Sequence, residues 1–327
     1  ERSRGLGDVY KRQVLAYSLF GGADFGSGFF DLTAGGSASG AELRTLIDHS
    51  IGPVWEANHV WLIFCLVTWW TAFPVSFAAM MSTLIIPLLL ALLGIVLRGA
   101  SFAFRKYAAT LAQARLFGAF FAASSLITPF FFGCVAGAIA SGRVLATGRG
   151  PLIDSWVNPT SIFGGLIAVG TCTFLAGVFL VADAARASAF VLTAQLRIRS
   201  LAVGVTTGLI VFVALVPIKH DAPTLYAGLT GKAAPLIGIS AVAGLATLVL
   251  LVARRFPAAR LTAVLAGAAV VLGWGIAQYP WLLVDQVSIA DAAGSPATLA
   301  ALLGVVVLAA IIVVPAMAYL YSLTQSE

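Results

Sequence analysis

Leu84-Ile85-Ile86-Pro87-Leu88-Leu89-Leu90-Ala91-Leu92-Leu93-Gly94-Ile95-Val96-Leu97-Arg98-Gly99-Ala100-Ser101-Phe102-Ala103-Phe104 contains one charged residue, Arg98. As a helix rising roughly 1.5 Å per residue, it reaches about 30 Å, the thickness of a bilayer's hydrocarbon layer. Comparable apolar runs recur on both sides of it. Nine spans are predicted: Val14–Leu32, His59–Met81, Leu84–Phe104, Leu116–Ala140, Ser161–Ala182, Leu201–Ile218, Pro235–Ala253, Leu261–Leu283 and Leu299–Leu323. Between the second and third only Ser82-Thr83 intervene, with Pro74 and Pro87 on either side, so a tight hairpin is expected there. No strand-length alternation accompanies these runs, which excludes a barrel.

Composition agrees. The chain has 327 residues, 60% hydrophobic and 10% charged, with a mean hydropathy of +1.01. A soluble domain carries about a quarter charged residues and could not cover its surface with so few. The expected fold class is therefore an all-α integral membrane protein. Residues 14–327 form one polytopic membrane domain. Residues 1–13 are polar and lack the pattern of a signal peptide; they read as a translated assembly scar replacing the true start of the first helix. Cys65, Cys134 and Cys172 lie singly in apolar runs, as buried small residues do.

The net charge of +6 is explained by topology and not by nucleic acid. Arg44, Arg98, Arg105, Lys106, Arg115, Arg186, Arg197, Arg199, Arg254, Arg255 and Arg260 fall on one side of the partition; Arg143, Arg149, Lys219 and Lys232 fall on the other. Eleven against four marks the first side as cytoplasmic, with the N-terminus outside and the C-terminus inside.

Ionisable groups within membrane-spanning segments are costly and carry function more often than not. Asp24 lies in the first span within Gly21-Gly22-Ala23-Asp24-Phe25-Gly26-Ser27-Gly28, and Asp31 follows seven residues later on nearly the same face. Asp24 reads as a proton relay or as polar glue between helices. Pro53-Val54-Trp55-Glu56-Ala57-Asn58-His59-Val60-Trp61 places an acid, an amide and an imidazole at the mouth of the second span. Glu56 and His59 share a helix face. Together Asp31, Glu56, Asn58 and His59 outline a polar inlet from the cytoplasm, with Asp24 deeper; the alternative for Glu56 is an end-of-helix acid between interfacial tryptophans. Arg98 and Arg105 read as positive-inside anchors or as charge partners of Glu56, Asp31 or another subunit's acid.

Redox or metal chemistry finds no home in the chain itself. Of three histidines, His49 and His220 fall in loops and His59 at a helix end, so no pair is placed to ligate a haem. There is no phosphate-binding loop, metal-ligand spacing or nucleophile–base pair.

Asp24-Phe25-Gly26-Ser27-Gly28, Pro53 through Trp61, and Leu97-Arg98-Gly99 leading to Phe104-Arg105 together resemble subunit II of the bacterial cytochrome bd-type quinol oxidases, in order and spacing. The resemblance implies two four-helix bundles plus one extra helix in a bacterial inner membrane. It implies a heterodimer with a larger subunit I, which holds haems b and d and the quinol site and reduces oxygen to water electrogenically. This chain would then be a non-haem subunit, with a structural quinone in some relatives and a small accessory subunit in some complexes. The acid of the Trp-acid-x-Asn element, here Glu56, contributes to a cytoplasmic proton route, and the first-span acid maps onto Asp24. Gly21 and Ala103 stand where relatives often carry further acids, and Ala23 replaces a usual aromatic, which thins the implied relay. The competing function is a stand-alone proton-coupled transporter, but paired broken helices around a mid-membrane site are not evident.

Overall fold

The computed structural model describes residues 21–36, 39–51 and 55–325; the side chains of residues 51, 55–58, 106, 314, 317, 318 and 320–325 lie outside that description. Residues 1–20, which include the expected scar, also lie outside it. Helix α1 occupies residues 21–32. It is followed by α2 (Ala41–Ile51), α3 (Trp55–Ala72), α4 (Pro74–Thr83), α5 (Ile85–Lys106), α6 (Leu111–Ala140) and α7 (Pro159–Arg186). Then come α8 (Phe190–Asp221), α9 (Pro223–Thr230), α10 (Ala234–Val252), α11 (Phe256–Ala277), β1 (Trp281–Leu283), β2 (Val287–Ser288), α12 (Ile289–Ala292) and α13 (Pro296–Gln325). Among the described residues seven helices are long and apolar enough to cross a membrane, or eight if α3 and α4 count as one broken span. The protein is an all-α multi-pass membrane protein.

Helix starts follow from local chemistry. Thr110 and Gln113 form a reciprocal capping box at α6. At α7, Asn158 accepts the Ser161 amide at 2.9 Å, with Pro159 in the first helical position, where a missing N–H costs nothing. Prolines also open α4, α9, α10, α11 and α13.

Three expectations are corrected. The span predicted over His59–Met81 is broken at Phe73, where the chain turns by 117°. Pro74 disfavours helical backbone in the residue before it, and Phe73 accordingly has φ −136° and ψ 60°. The expected hairpin at Ser82-Thr83 is thus spread over the whole ten-residue α4. Trp69 Nε1 donates to Ser76 Oγ at 2.9 Å, and the Gly294 amide takes the Ala72 carbonyl at 2.8 Å, so the corner is hydrogen-bonded. The eighth span ends at Ala277, not Leu283. Pro280 cannot continue a helix, and Trp281–Leu283 pairs antiparallel with Val287-Ser288 as a small hairpin. Finally, the stretch after the first span, read as loop, contains the amphipathic helix α2, which buries Leu43 and Ile47 and ends near His49.

Helix α6 packs between α5 and α7, α7 against α8 and α11, α10 against α11, and α13 against α3. α8 and α13 present Leu209, Phe212, Val216, Val305, Leu308 and Ile311 outward, as lipid-facing helices do. The ends of α1, α5 and α7 meet the starts of α8 and α11 at one face of the bundle. This basic end holds most of the cationic positions on the first side of the partition, among them Arg44, Arg105, Arg186, Arg254, Arg255 and Arg260, while Arg98 lies further in along α5. At the far end Arg143 bonds Asp221, and Thr224 donates to Asp285 at 2.8 Å.

Close approach of backbones sets the centre. A Cβ on Gly26 of α1 would lie 2.0 Å from the Cys172 carbonyl oxygen of α7. Likewise Gly133 of α6 and Gly164 of α7 meet so tightly that a Cβ on Gly133 would lie 2.3 Å from the Gly164 oxygen. Without a hydrophobic drive between helices in lipid, such contacts carry the association. Gly26→Ala is therefore expected to destabilise the protein by about 1–3 kcal/mol through overpacking. Gly238→Ala, where nothing lies within 4 Å, should cost nothing. Thermal unfolding in detergent distinguishes the two.

Candidate functional site: a two-rung acid–base ladder

Asp24 and Asp31 stand seven residues apart on α1, and Arg98 and Arg105 stand seven apart on α5. Both helices run toward the basic end, and the two spacings lock together. Arg98 Nη2 donates to Asp24 Oδ1 at 2.5 Å, and Arg105 Nη1 donates to Asp31 Oδ2 at 2.7 Å. The rungs are two helical turns, roughly 10 Å, apart.

The inner rung is the more deeply enclosed. Arg98 is 1% exposed and Asp24 5%. The guanidinium lies over two rings, 4.9 Å from the centroid of Phe25 and 5.1 Å from that of Phe121. Its Nε donates to Ser125 Oγ at 3.0 Å. Two cation–π contacts, each worth about 2 kcal/mol when desolvated, offset part of the cost of removing the cation from water. Gly28 permits the approach: a Cβ there would lie 2.3 Å from the Ser125 Cβ. Asp24 Oδ2 is buried with no hydrogen-bond partner among the described residues. One oxygen of the acid is thus committed to Arg98 and the other can accept a proton or a water.

Asp31, 4% exposed, is more fully engaged. Its Oδ1 accepts Arg44 Nε at 2.9 Å while Oδ2 accepts Arg105. Arg44 also donates to the Gly35 and Gly36 carbonyls at 2.7 and 3.0 Å, closing the turn after α1. Arg105 reaches Asp48 of α2 at 3.4 Å. The outer rung therefore fastens α1, α2 and α5 together at the basic end.

His59 enters from α3. Its ring meets Phe25 edge-on, with centroids 6.0 Å apart, so Phe25 touches both His59 and Arg98. Glu56 and Asn58 belong to α3 by backbone, but their side chains lie outside the described residues. His59, Asp24 and Arg98 are thus brought to one cluster, while Asp31 and Arg105 form a second, closer to the bundle's end. Arg98 does not project from the protein's surface, as an anchoring side chain would; among the described residues it is the bulkiest of the fully buried side chains. Ala103 is exposed, whereas Gly21 is buried. Sequence reasoning missed Asp48, Ser125 and the cluster in which Asp183 bonds both Arg186 and Arg260. The shared heptad in the acids and the arginines was the available signal for the ladder.

Removing one partner of a buried ion pair strands the other charge, at a cost of roughly 3–5 kcal/mol. Arg98→Leu is expected to cost that much, and Arg105→Gln about 1 kcal/mol, since Asp31 keeps Arg44. Adding Asp24→Asn to Arg98→Leu should recover much of the first loss. Equal effects of the two arginine replacements on thermal unfolding would contradict the difference in burial.

Comparisons place this architecture. Residues 12–324 match the model of the family described as cytochrome bd terminal oxidase subunit II. The chain is 30% identical over 160 residues to the cytochrome bd ubiquinol oxidase subunit 2 of Bacillus subtilis (strain 168); the match covers 48% of this chain and 46% of that protein. The chain therefore spans about half the length of that curated relative. Its fold matches a chain in the structure of bd oxidase from Geobacillus thermodenitrificans, with a TM-score of 0.81, 24% identity and 98% of both chains covered. The chain belongs to the cytochrome bd terminal oxidase subunit II family.

Proposed function

We propose that this chain is the non-haem subunit of a membrane quinol:oxygen oxidoreductase, packed against a haem-bearing subunit I. In this role it admits protons from the cytoplasmic side during reduction of oxygen to water. The observation that carries the proposal is the buried Asp24 carboxylate, with Oδ2 open and its neighbour Phe25 in contact with His59 of α3. Glu56 lies one helical turn before His59 and, with Asn58, forms the mouth of the route; Asp24 is its inner station. Asp31 does not carry protons here, because both of its oxygens already accept guanidinium N–H groups. It holds the entrance in shape.

The excess of cationic residues at the end where α3 begins supports a cytoplasmic opening, with the C-terminus on the same side and the N-terminus outside, in a bacterial inner membrane. The haems fit the partner better than this chain. His49 and His220 are exposed at opposite ends of the bundle, and His59 packs against an aromatic ring, so no two described histidines face one another. Haems b and d would supply the oxygen chemistry from subunit I, and the residues described here position and transfer protons only. A structural quinone and a small accessory subunit belong to the same proposal. Family membership leaves a stand-alone transporter without support.

Two outcomes are expected, the first of the complex produced with its genomic neighbour and the second of the chain alone. Glu56→Gln should lower oxygen consumption at least tenfold while the reduced-minus-oxidised haem spectrum keeps its intensity, as loss of a proton carrier requires. Loss of haem, or no change at all, would indicate a scaffold instead. The chain purified alone should show no haem bands.

A further inference from the structure

A cleft of about 620 Å³ opens at the basic end, between the last turns of α7 and the first turns of α11. Its walls include Phe179, Ala182, Phe256 and Val264, and Arg186 and Arg260 also line it. It shares no lining residue with the acid–base ladder.

Charge at the cleft is unbalanced. Asp183 Oδ1 accepts from both Arg186 and Arg260, and Oδ2 accepts from Ser50 at 3.1 Å. Two guanidiniums thus share one carboxylate. Arg260 lies over the Phe179 ring at 4.8 Å, and its Nε has no hydrogen-bond partner among the described residues. Arg186 is 54% exposed. Helix α11 starts beside them with neither a side-chain cap nor an acid in its first turn, leaving the positive end of its dipole uncompensated. Arg254 and Arg255 are exposed on the preceding turn.

We infer that this cleft binds an anionic phospholipid, its phosphate against Arg186 and Arg260 and an acyl chain along the apolar walls. The arginines sit at the ends of two spans, the level of lipid headgroups, while Phe179 and Val264 lie further in along the same helices. A free phosphate ion would use the cationic rim but leave the apolar walls without a counterpart. A zwitterionic headgroup would bring a cation against an already positive site.

The test is native mass spectrometry of the full chain with its partner subunit, stripped of lipid in detergent and titrated separately with phosphatidylglycerol, phosphatidylcholine and inorganic phosphate. Phosphatidylglycerol is expected to bind more tightly than phosphatidylcholine, and phosphate not to displace it. Arg186→Gln should weaken phosphatidylglycerol binding about fivefold, the worth of one basic residue near an anionic surface. Ala185→Leu, which fills the cleft while keeping every charge, should weaken it at least as much. Arg149→Gln, exposed at the far end, should leave it unchanged. Equal binding of the two lipids, displacement by phosphate, or binding unaffected by both cleft variants would overturn the inference.

Discussion

The fold depends on a pairing across α1 and α5 in which each helix offers two charges at the same seven-residue interval. Because the helices run in the same direction, satisfying one pair in register satisfies the other. A slip of one residue would rotate the side chains by about 100° and strand the buried Asp24 and Arg98 inside the bundle. Burying an ion pair is not in itself stabilising, but it makes alternative registers expensive. In apolar helices that could otherwise slide past one another, the ladder supplies the specificity that hydrophobic packing lacks.

Close packing then makes the ladder possible. Gly26 and Gly28 bring α1 against α7 and α6 respectively, so Asp24 is delivered to a site already flanked by Phe121 and Ser125. Arg98 crosses from α5 into the same space and lies over the rings of Phe25 and Phe121. Residues on α1, α5 and α6 are each needed to bury this one cation. At the basic end the outer rung is tied into α2, and Ser50 of α2 carries the connection on to Asp183 of α7.

Much of the architecture was legible because hydropathy over twenty residues is a strong signal. The spans on α5, α7 and α10 agree with the structure to within a few residues. Where a local event interrupts a long apolar run, the signal fails: Phe73 bends before Pro74, and Trp281–Leu283 leaves the helix after Pro280, though both segments remain hydrophobic. Helix α2 was hidden for the opposite reason. Among its residues with described side chains only Leu43 and Ile47 become buried apolar anchors, too few to register beside membrane spans. At the site, residue types identified Asp24, Asp31, Arg98 and Arg105, but Arg98 was left between a membrane anchor and a partner of Glu56, Asp31 or another subunit's acid, and was not paired with Asp24. The equal spacing of acids and arginines held the answer. Ser125 could not have been found that way, since a serine in a helix bonds its own carbonyls as readily as a neighbour's guanidinium.

Under the proposed function the two rungs would divide the labour. The outer one, with both Asp31 oxygens bonded to guanidiniums, would serve geometry. The inner one, where Asp24 Oδ2 has no bond to a described residue, would serve as the proton station. Reduced-minus-oxidised infrared difference spectroscopy of the assembled complex tests this most directly. The account predicts a carboxyl C=O band that responds to the redox cycle and is absent from Asp24→Asn. A difference spectrum in which no carboxyl band depends on Asp24 would contradict it.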